Sequence, residues 1–266
     1  MSLRLLLTCV IGFILMLPAQ AAEVAGDQPL AVIFGEKVYS KDLVASISSA
    51  PAKDPVAEQR ARGEAMRGRV WKAVFEDYTR RRHIVPSEAE IASQVEGHQR
   101  MKKHMEAERV QQRASLVAEL KLPSLSETRR QAAQQHLDTL DKLAAFNTQR
   151  EQELRDPERR KMSEASERMV AEHWVRAWKL NQTLYREFGG RIIFQQAGWE
   201  PIDAYRKLLD QYASKQAFVI HDPALRAAVY SYFEHKFVYA EEAKARFYFE
   251  KPYWERTPEE MKAAGF

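Results

Sequence analysis

The sequence predicts a mainly α protein: a helical body, a projecting antiparallel helix hairpin, and a small β element near the N-terminus. Three observations carry this reading. Glycine, which disfavours helices, occurs only 10 times in 266 residues. Apolar residues recur at steps of three and four over long stretches. Helix starts are written repeatedly, as Ser-x-x-Glu or as Asp-Pro.

The chain opens with Arg4 ahead of an uncharged run, Leu5 to Leu17, and then Pro18-Ala19-Gln20-Ala21. That order predicts a secretory signal peptide over residues 1–21, cleaved after about Ala21. The run has 13 residues, shorter than the roughly 20 a spanning helix needs, so no stable membrane insertion is expected after cleavage. Cys9, the only cysteine, lies inside that run. The remaining chain of about 245 residues thus has no thiol nucleophile, zinc–thiolate site or disulfide, and its stability must come from packing.

Ala31 to Phe34 and Val38-Tyr39 flank Gly35-Glu36-Lys37 and read as a β-hairpin. A short helix follows from Lys41 to Ile47, then a loop with Pro51 and Pro55. From Val56 to about Arg82, Met66, Val70, Val74 and Tyr78 form one apolar face. Ser87 and Glu90 make a capping box for a long polar helix reaching Leu120. Its apolar residues are too thinly spread for burial on all sides. Ser124 with Glu127 is assigned as the next cap, opening a helix to about Leu154. These two helices form the hairpin arm.

Asp156-Pro157 opens a further helix with Met162, Met169, Val170, His173, Trp174 and Leu184 on one stripe, closed by Gly189-Gly190. His173 is expected in the core. Beyond it aromatic residues become dense. Runs at 191–194 and 217–220 read as short strands, and the three runs at 31–34, 191–194 and 217–220 are expected to pair in one sheet. Asp222-Pro223 starts another helix, Ala240 to Phe249 is the last helical piece, and the tail after Pro252 is polar. The expected division is residues 22–86 with 156–250 as body, 87–155 as arm, and 251–266 as tail.

The composition excludes several classes of chemistry. Net charge is +4, with both signs mixed along a chain that is 29% charged; this describes solvated helix faces rather than a nucleic-acid stripe. His98 and His104 stand six apart, not the four that would set a helical metal pair on one face. No Gly-x-Ser-x-Gly elbow and no glycine-rich phosphate loop occurs. The expectation is a protein that is not an enzyme and carries no metal and no cofactor. The aromatic C-terminal third reads either as core or as a groove for extended polypeptide. Met101, Met105, Trp199 and Tyr205 are the candidate contact residues.

Phe34-Gly35-Glu36-Lys37-Val38-Tyr39-Ser40-Lys41-Asp42-Leu43 resembles the start of SurA-type periplasmic chaperones and their peptidyl-prolyl isomerase relatives, which commonly read V-N-G-E-x-I-T-x-x-E-L. Here Phe34 stands in place of their Asn and Tyr39 in place of their Thr. The resemblance covers roughly residues 30–120. It does not extend to an isomerase module: His83-Ile84-Val85 imitates the first strand of a parvulin domain, but no glycine-rich stretch follows. The resemblance implies an ATP-independent periplasmic holdase for unfolded polypeptides or outer-membrane protein precursors. The alternatives are an envelope assembly or scaffold protein with one specific partner, and an isomerase-like protein.

Overall fold

The computed structural model describes residues 28–44, 54–195 and 198–266. The expected signal peptide, the loop around Pro51 and the end of the first short helix lie outside the described residues. Strands β1 (Ala31–Ile33) and β2 (Glu36–Val38) pair antiparallel, with Ala31 opposite Val38 and Ile33 opposite Glu36. Their two-residue turn, Phe34-Gly35, has positive φ at both positions, 49° and 86°. That is the type I′ hairpin geometry, whose twist matches the flanking strands.

Helix α1 (Ser40–Val44) leads to α2 (Pro55–Arg81), where Asp54 accepts from the Val56 amide at 3.0 Å and proline fills the first turn. Helix α3 (Glu88–Leu120) starts with the expected capping box, Ser87 N–H donating to Glu90 Oε2 at 2.7 Å. At 33 residues it is about 50 Å long. Helix α4 (Glu127–Glu153) is capped by Ser126, whose hydroxyl accepts from Arg129 N–H, and not by Ser124. Leu122-Pro123-Ser124 belongs to the turn, which runs two residues longer than the sequence pattern suggests. Helix α5 (Pro157–Phe188) is capped by Asp156 as expected.

The expected sheet forms from the runs at 31–34 and 217–220 but not from that at 191–194. Strands β3 (Ile193–Gln195) and β4 (Gly198–Glu200) form their own hairpin. After α6 (Ile202–Ser214), β5 (Phe218–Ile220) pairs antiparallel with β1, giving a sheet of order β2-β1-β5. The run at 191–194 therefore does not join the N-terminal sheet; nearby Gly198 lets it turn back on itself. Helices α7 (Pro223–Tyr230), α8 (Glu242–Glu250) and α9 (Pro258–Ala263) complete the chain. The segment after Pro252 is not simply polar: Trp254 is buried, and Thr257 and Glu260 form a capping box for α9.

Two cores result. The first joins the N-terminal sheet, the stripe of α2 (Met66, Val70, Val74, Tyr78), α6, α7 and Leu184 near the end of α5. The second joins Val175 and Trp178 of α5 to Ile192, Tyr248, Phe249 and Trp254. Asn181 of α5 sits between them. Its Nδ2 donates to the Trp199 carbonyl at 3.0 Å, and its Oδ1 accepts from the Tyr205 hydroxyl at 2.6 Å. A smaller cluster of Leu116, Ala133, Leu137 and Leu140 holds α3 to α4. Asp77 is buried, and burial opposes its charge. Tyr212 O–H donating at 2.8 Å, a hydrogen bond from Arg80 and the Arg81 guanidinium outweigh burial and hold the carboxyl below the usual aspartate range.

Close approach fixes how α3 seats on the body. A Cβ on Gly97 would lie 2.2 Å from the Trp254 carbonyl oxygen and 2.7 Å from its Cβ. Intrinsic propensity favours alanine over glycine in a helix by about 1 kcal/mol, but here the obstacle is backbone. Gly97→Ala is therefore expected to destabilise the protein by about 1–3 kcal/mol, the usual cost of overpacking, read as a lowered midpoint in thermal or urea denaturation.

Glu200 on β4 accepts from the Tyr232 hydroxyl at 2.9 Å, yet burial dominates and raises its pKa. With the folded pKa above the unfolded one, the associated stability is complete below the ordinary glutamate range. It is lost as pH rises through the folded value. Glu200→Gln is expected to raise the melting temperature at pH 7, with the advantage vanishing near pH 4; thermal melts across that range measure it.

Candidate functional site

The N-terminal part of α3 meets α5 through Glu88 and Glu90 and the 253–255 turn through Gly97 and Arg100, and its C-terminal part packs Leu116 on α4. Where α3, the end of α4 and the start of α5 diverge, they leave two adjoining clefts of about 480 and 540 Å³. The two share His98, Arg150 and Glu167 and so form one continuous trough.

Each wall follows from local sequence. On α3, Val95 and His98 are one turn apart and face the trough. Gln94 beside them is buried, with Tyr253 from the chain's last segment as its side-chain partner. On α5, Glu167, Val170 and Trp174 follow at three and four residues and share a face. Lys179 ties α5 to the root of α3, its ammonium 2.9 Å from the Glu90 carboxylate and 2.8 Å from the Val85 carbonyl. Burial would raise the Glu90 pKa, but Lys179 and the Ser87 cap outweigh it and hold the carboxylate below its usual range. Arg168 pairs with Glu88 further along. The trough wall is thus pinned at its base.

Toward its N-terminus α5 leaves the body behind. Met162 is 71% exposed, Met169 67% and Val170 47%. The predicted stripe goes inward at its C-terminal end, at Leu184, but not at Met162, Met169 and His173. The buried positions of α5 are Ala171, Val175, Trp178, Asn181 and Leu184, a stripe displaced around the helix, and His173 is exposed. On the arm, Leu143, Phe146 and Val110 are also exposed. Methionine in such an uncovered position adapts to varied partners.

The four contact residues expected from sequence are not brought together, and none lines the trough. Met101 is half-buried on α3 and Met105 exposed one turn further on. Trp199 lies in an aromatic stack, its ring 5.6 Å from both Phe194 and Tyr248 and 5.2 Å from Phe266. Tyr205 is buried in the first core with its hydroxyl committed to Asn181, so its side chain has no free face to offer a partner. Trp178, Tyr212, Phe218, Tyr248, Phe249 and Trp254 are buried as well, while Tyr185, Phe188, Tyr232 and Phe233 are partly buried against the same cores. Sequence reasoning missed Val170, Trp174 and Tyr253. Val170 and Trp174 were placed on a stripe read as buried, and Tyr253 in a tail read as polar.

Among the described residues, no group of three or more His, Cys, Asp or Glu is placed to hold a metal ion. Among them also, no helix is long and apolar enough to cross a membrane. The trough therefore offers apolar anchors, Val170, Trp174 and Tyr253, beside Arg150, Glu167 and His98. No protein-family model, curated protein or solved structure matches the chain.

Because Met162, Met169 and Val170 have little to pack against, replacing all three by serine is expected to leave stability within about 0.5 kcal/mol of the parent per site. The same variant is expected to bind less of an apolar reporter dye. Thermal melts and anilinonaphthalene sulfonate fluorescence check both halves.

Proposed function

We propose that this protein is an ATP-independent holdase of the bacterial periplasm that receives unfolded polypeptide in the trough between its arm and its body. The observation that carries the reading is the trough itself. It is open, roughly the size of several side chains, and lined by apolar anchors interspersed with both signs of charge. Beside it lies the uncovered methionine surface of α5.

The physical logic is that of weak, repeated contact. A side chain such as leucine or phenylalanine entering the trough gains about 1.5–3 kcal/mol. The flanking Arg150, Glu167 and His98 keep the surface wet and available to polar backbone. Such contacts hold an unfolded chain without committing it to one register, and they release it without an energy source. The N-terminal resemblance to SurA-type chaperones supports export, periplasmic location and outer-membrane protein precursors as clients. The N-terminal hairpin adds to that support, since its two-residue turn has the geometry that the Asn-Gly of those chaperones favours. Nothing in this reading requires catalysis, a cofactor, nucleic acid or a membrane anchor.

The test is light scattering from an unfolded outer-membrane barrel diluted from urea, with the protein added in increasing ratio. Suppression near equimolar ratio is expected, and equally for an unrelated unfolded protein. Val170→Asp, which places a charge on the trough wall at an exposed position, is expected to require about tenfold more protein for the same suppression, equivalent to about 1.4 kcal/mol. No suppression with either client rejects the holdase. Suppression of one client alone points to a dedicated assembly partner instead. Acceleration of prolyl isomerisation in a short peptide would point to the isomerase alternative.

A further inference from the structure

A second cleft of about 590 Å³ lies at the tip of the β1–β2 hairpin and shares no lining residue with the trough. Its walls come from the hairpin turn, the last turn of α2, the end of α5 and the α6–β5 connection. We propose that this cleft binds an acidic peptide segment presenting an aromatic side chain.

The first observation is backbone strain. Among the described residues, three that are not glycine have positive φ: Phe34, His83 and Gln216. Two have an ordinary cause. His83 follows the end of α2, where its N–H and that of Ile84 close back on the Arg80 and Thr79 carbonyls. Gln216 follows the end of α6, where its N–H and that of Ala217 close on the Ala213 and Tyr212 carbonyls. Both are helix ends that require a left-handed residue. Phe34 is different. Its turn needs positive φ, but asparagine meets that need with far less strain. The hairpin nevertheless carries a bulky aromatic residue there, 39% exposed, with its ring 5.9 Å from that of Tyr212. Its N–H, bonded to the Ala217 carbonyl at 2.6 Å, holds the turn against the cleft wall. Strain retained at an exposed position is a mark of function.

The second observation is charge. Arg81, Arg82 and Lys215 line the cleft, against one lining carboxylate, Glu187. Arg81 is steadied by Asp77 at 2.6 Å and Arg82 by Glu187 at 2.5 Å. A guanidinium has five N–H donors, so each keeps capacity for a further acceptor while being held in place. Tyr78 and Tyr212 also line the cleft, with Arg82 and Arg81 over their respective rings at 5.6 and 6.0 Å, but both are buried with their hydroxyls committed to Glu187 and Asp77, so the aromatic surface open to a partner is that of Phe34. A lone phosphate would need the cations but not the Phe34 ring, and an apolar peptide the ring but not the cations. An acidic segment with one aromatic side chain uses both.

The experiment is fluorescence anisotropy with the purified protein and three short labelled peptides: one with tryptophan between acidic residues, its basic counterpart, and an acidic peptide without an aromatic residue. The first is expected to bind at least tenfold more tightly than either other and to weaken with added salt. Phe34→Asn is expected to raise the melting temperature, by relieving the turn, while lowering that affinity about tenfold. Lys215→Glu is expected to lower affinity with the melting temperature unchanged. Equal binding of the three peptides overturns the proposal, as does unchanged affinity in Phe34→Asn. A lowered melting temperature in Phe34→Asn also overturns it, because Phe34 would then be held for packing. Binding to phosphatidylglycerol vesicles without binding to the acidic aromatic peptide overturns it in favour of a membrane surface.

Discussion

The structure depends on how α5 is clamped about its own axis. Leu184 commits it to the first core, Val175 and Trp178 commit it to the second, and Asn181 is satisfied from both sides. A buried amide left without a partner costs about 1–3 kcal/mol. Rotation of α5 would break both Asn181 bonds together with the apolar contacts on either side. The helix therefore has one permitted orientation. That orientation sends its N-terminal half beyond the body, with Val170 and Trp174 toward the trough and Met162 and Met169 uncovered. The candidate site is a consequence of this clamp.

The arm is built on a different principle. Helices α3 and α4 share only the small cluster around Leu116 and Leu137, supplemented by pairs such as Arg113–Asp141 at 2.6 Å and Arg129–Glu119. Exposed ion pairs contribute little each, so the hairpin stands mainly on helix propensity, capping and a few buried leucines. Its root is firmer. Gly97 admits the Trp254 backbone, Arg100 donates to the Trp254 carbonyl at 2.7 Å, and Lys179 bridges to Glu90. A well-anchored root and an arm held toward its tip by one small cluster suit an element that must meet partners of differing shape.

Much of this was legible in advance, for identifiable reasons. The capping signals at Ser87, Asp156 and Asp222 act through neighbouring amides, and each stands where the local pattern places it. The apolar stripe of α2 was readable because the sheet, α6 and α7 cover it from Met66 to Tyr78. The stripe of α5 was not, because only its C-terminal half is covered; Met162 and Met169 obey helical spacing without anything to pack on. The cap of α4 was misplaced by two residues because Ser124 and Ser126 both precede a suitable turn. Tyr205 and Trp199 were singled out for being aromatic, a property that core and surface share.

The amino-acid sequence by itself determined the helical class, the starts of α3, α5 and α7, the presence of an N-terminal β-hairpin and the absence of cysteine beyond Cys9. All of these depend on composition or on contacts a few residues apart. Only the tertiary structure decided that β3 pairs with β4 and stays out of the sheet of β1 and β5, that Trp254 closes the second core, and that Val170, Trp174 and Tyr253 share one trough. The reason is physical: whether an apolar side chain is core or contact surface depends on what covers it, and that cover comes from residues distant in sequence.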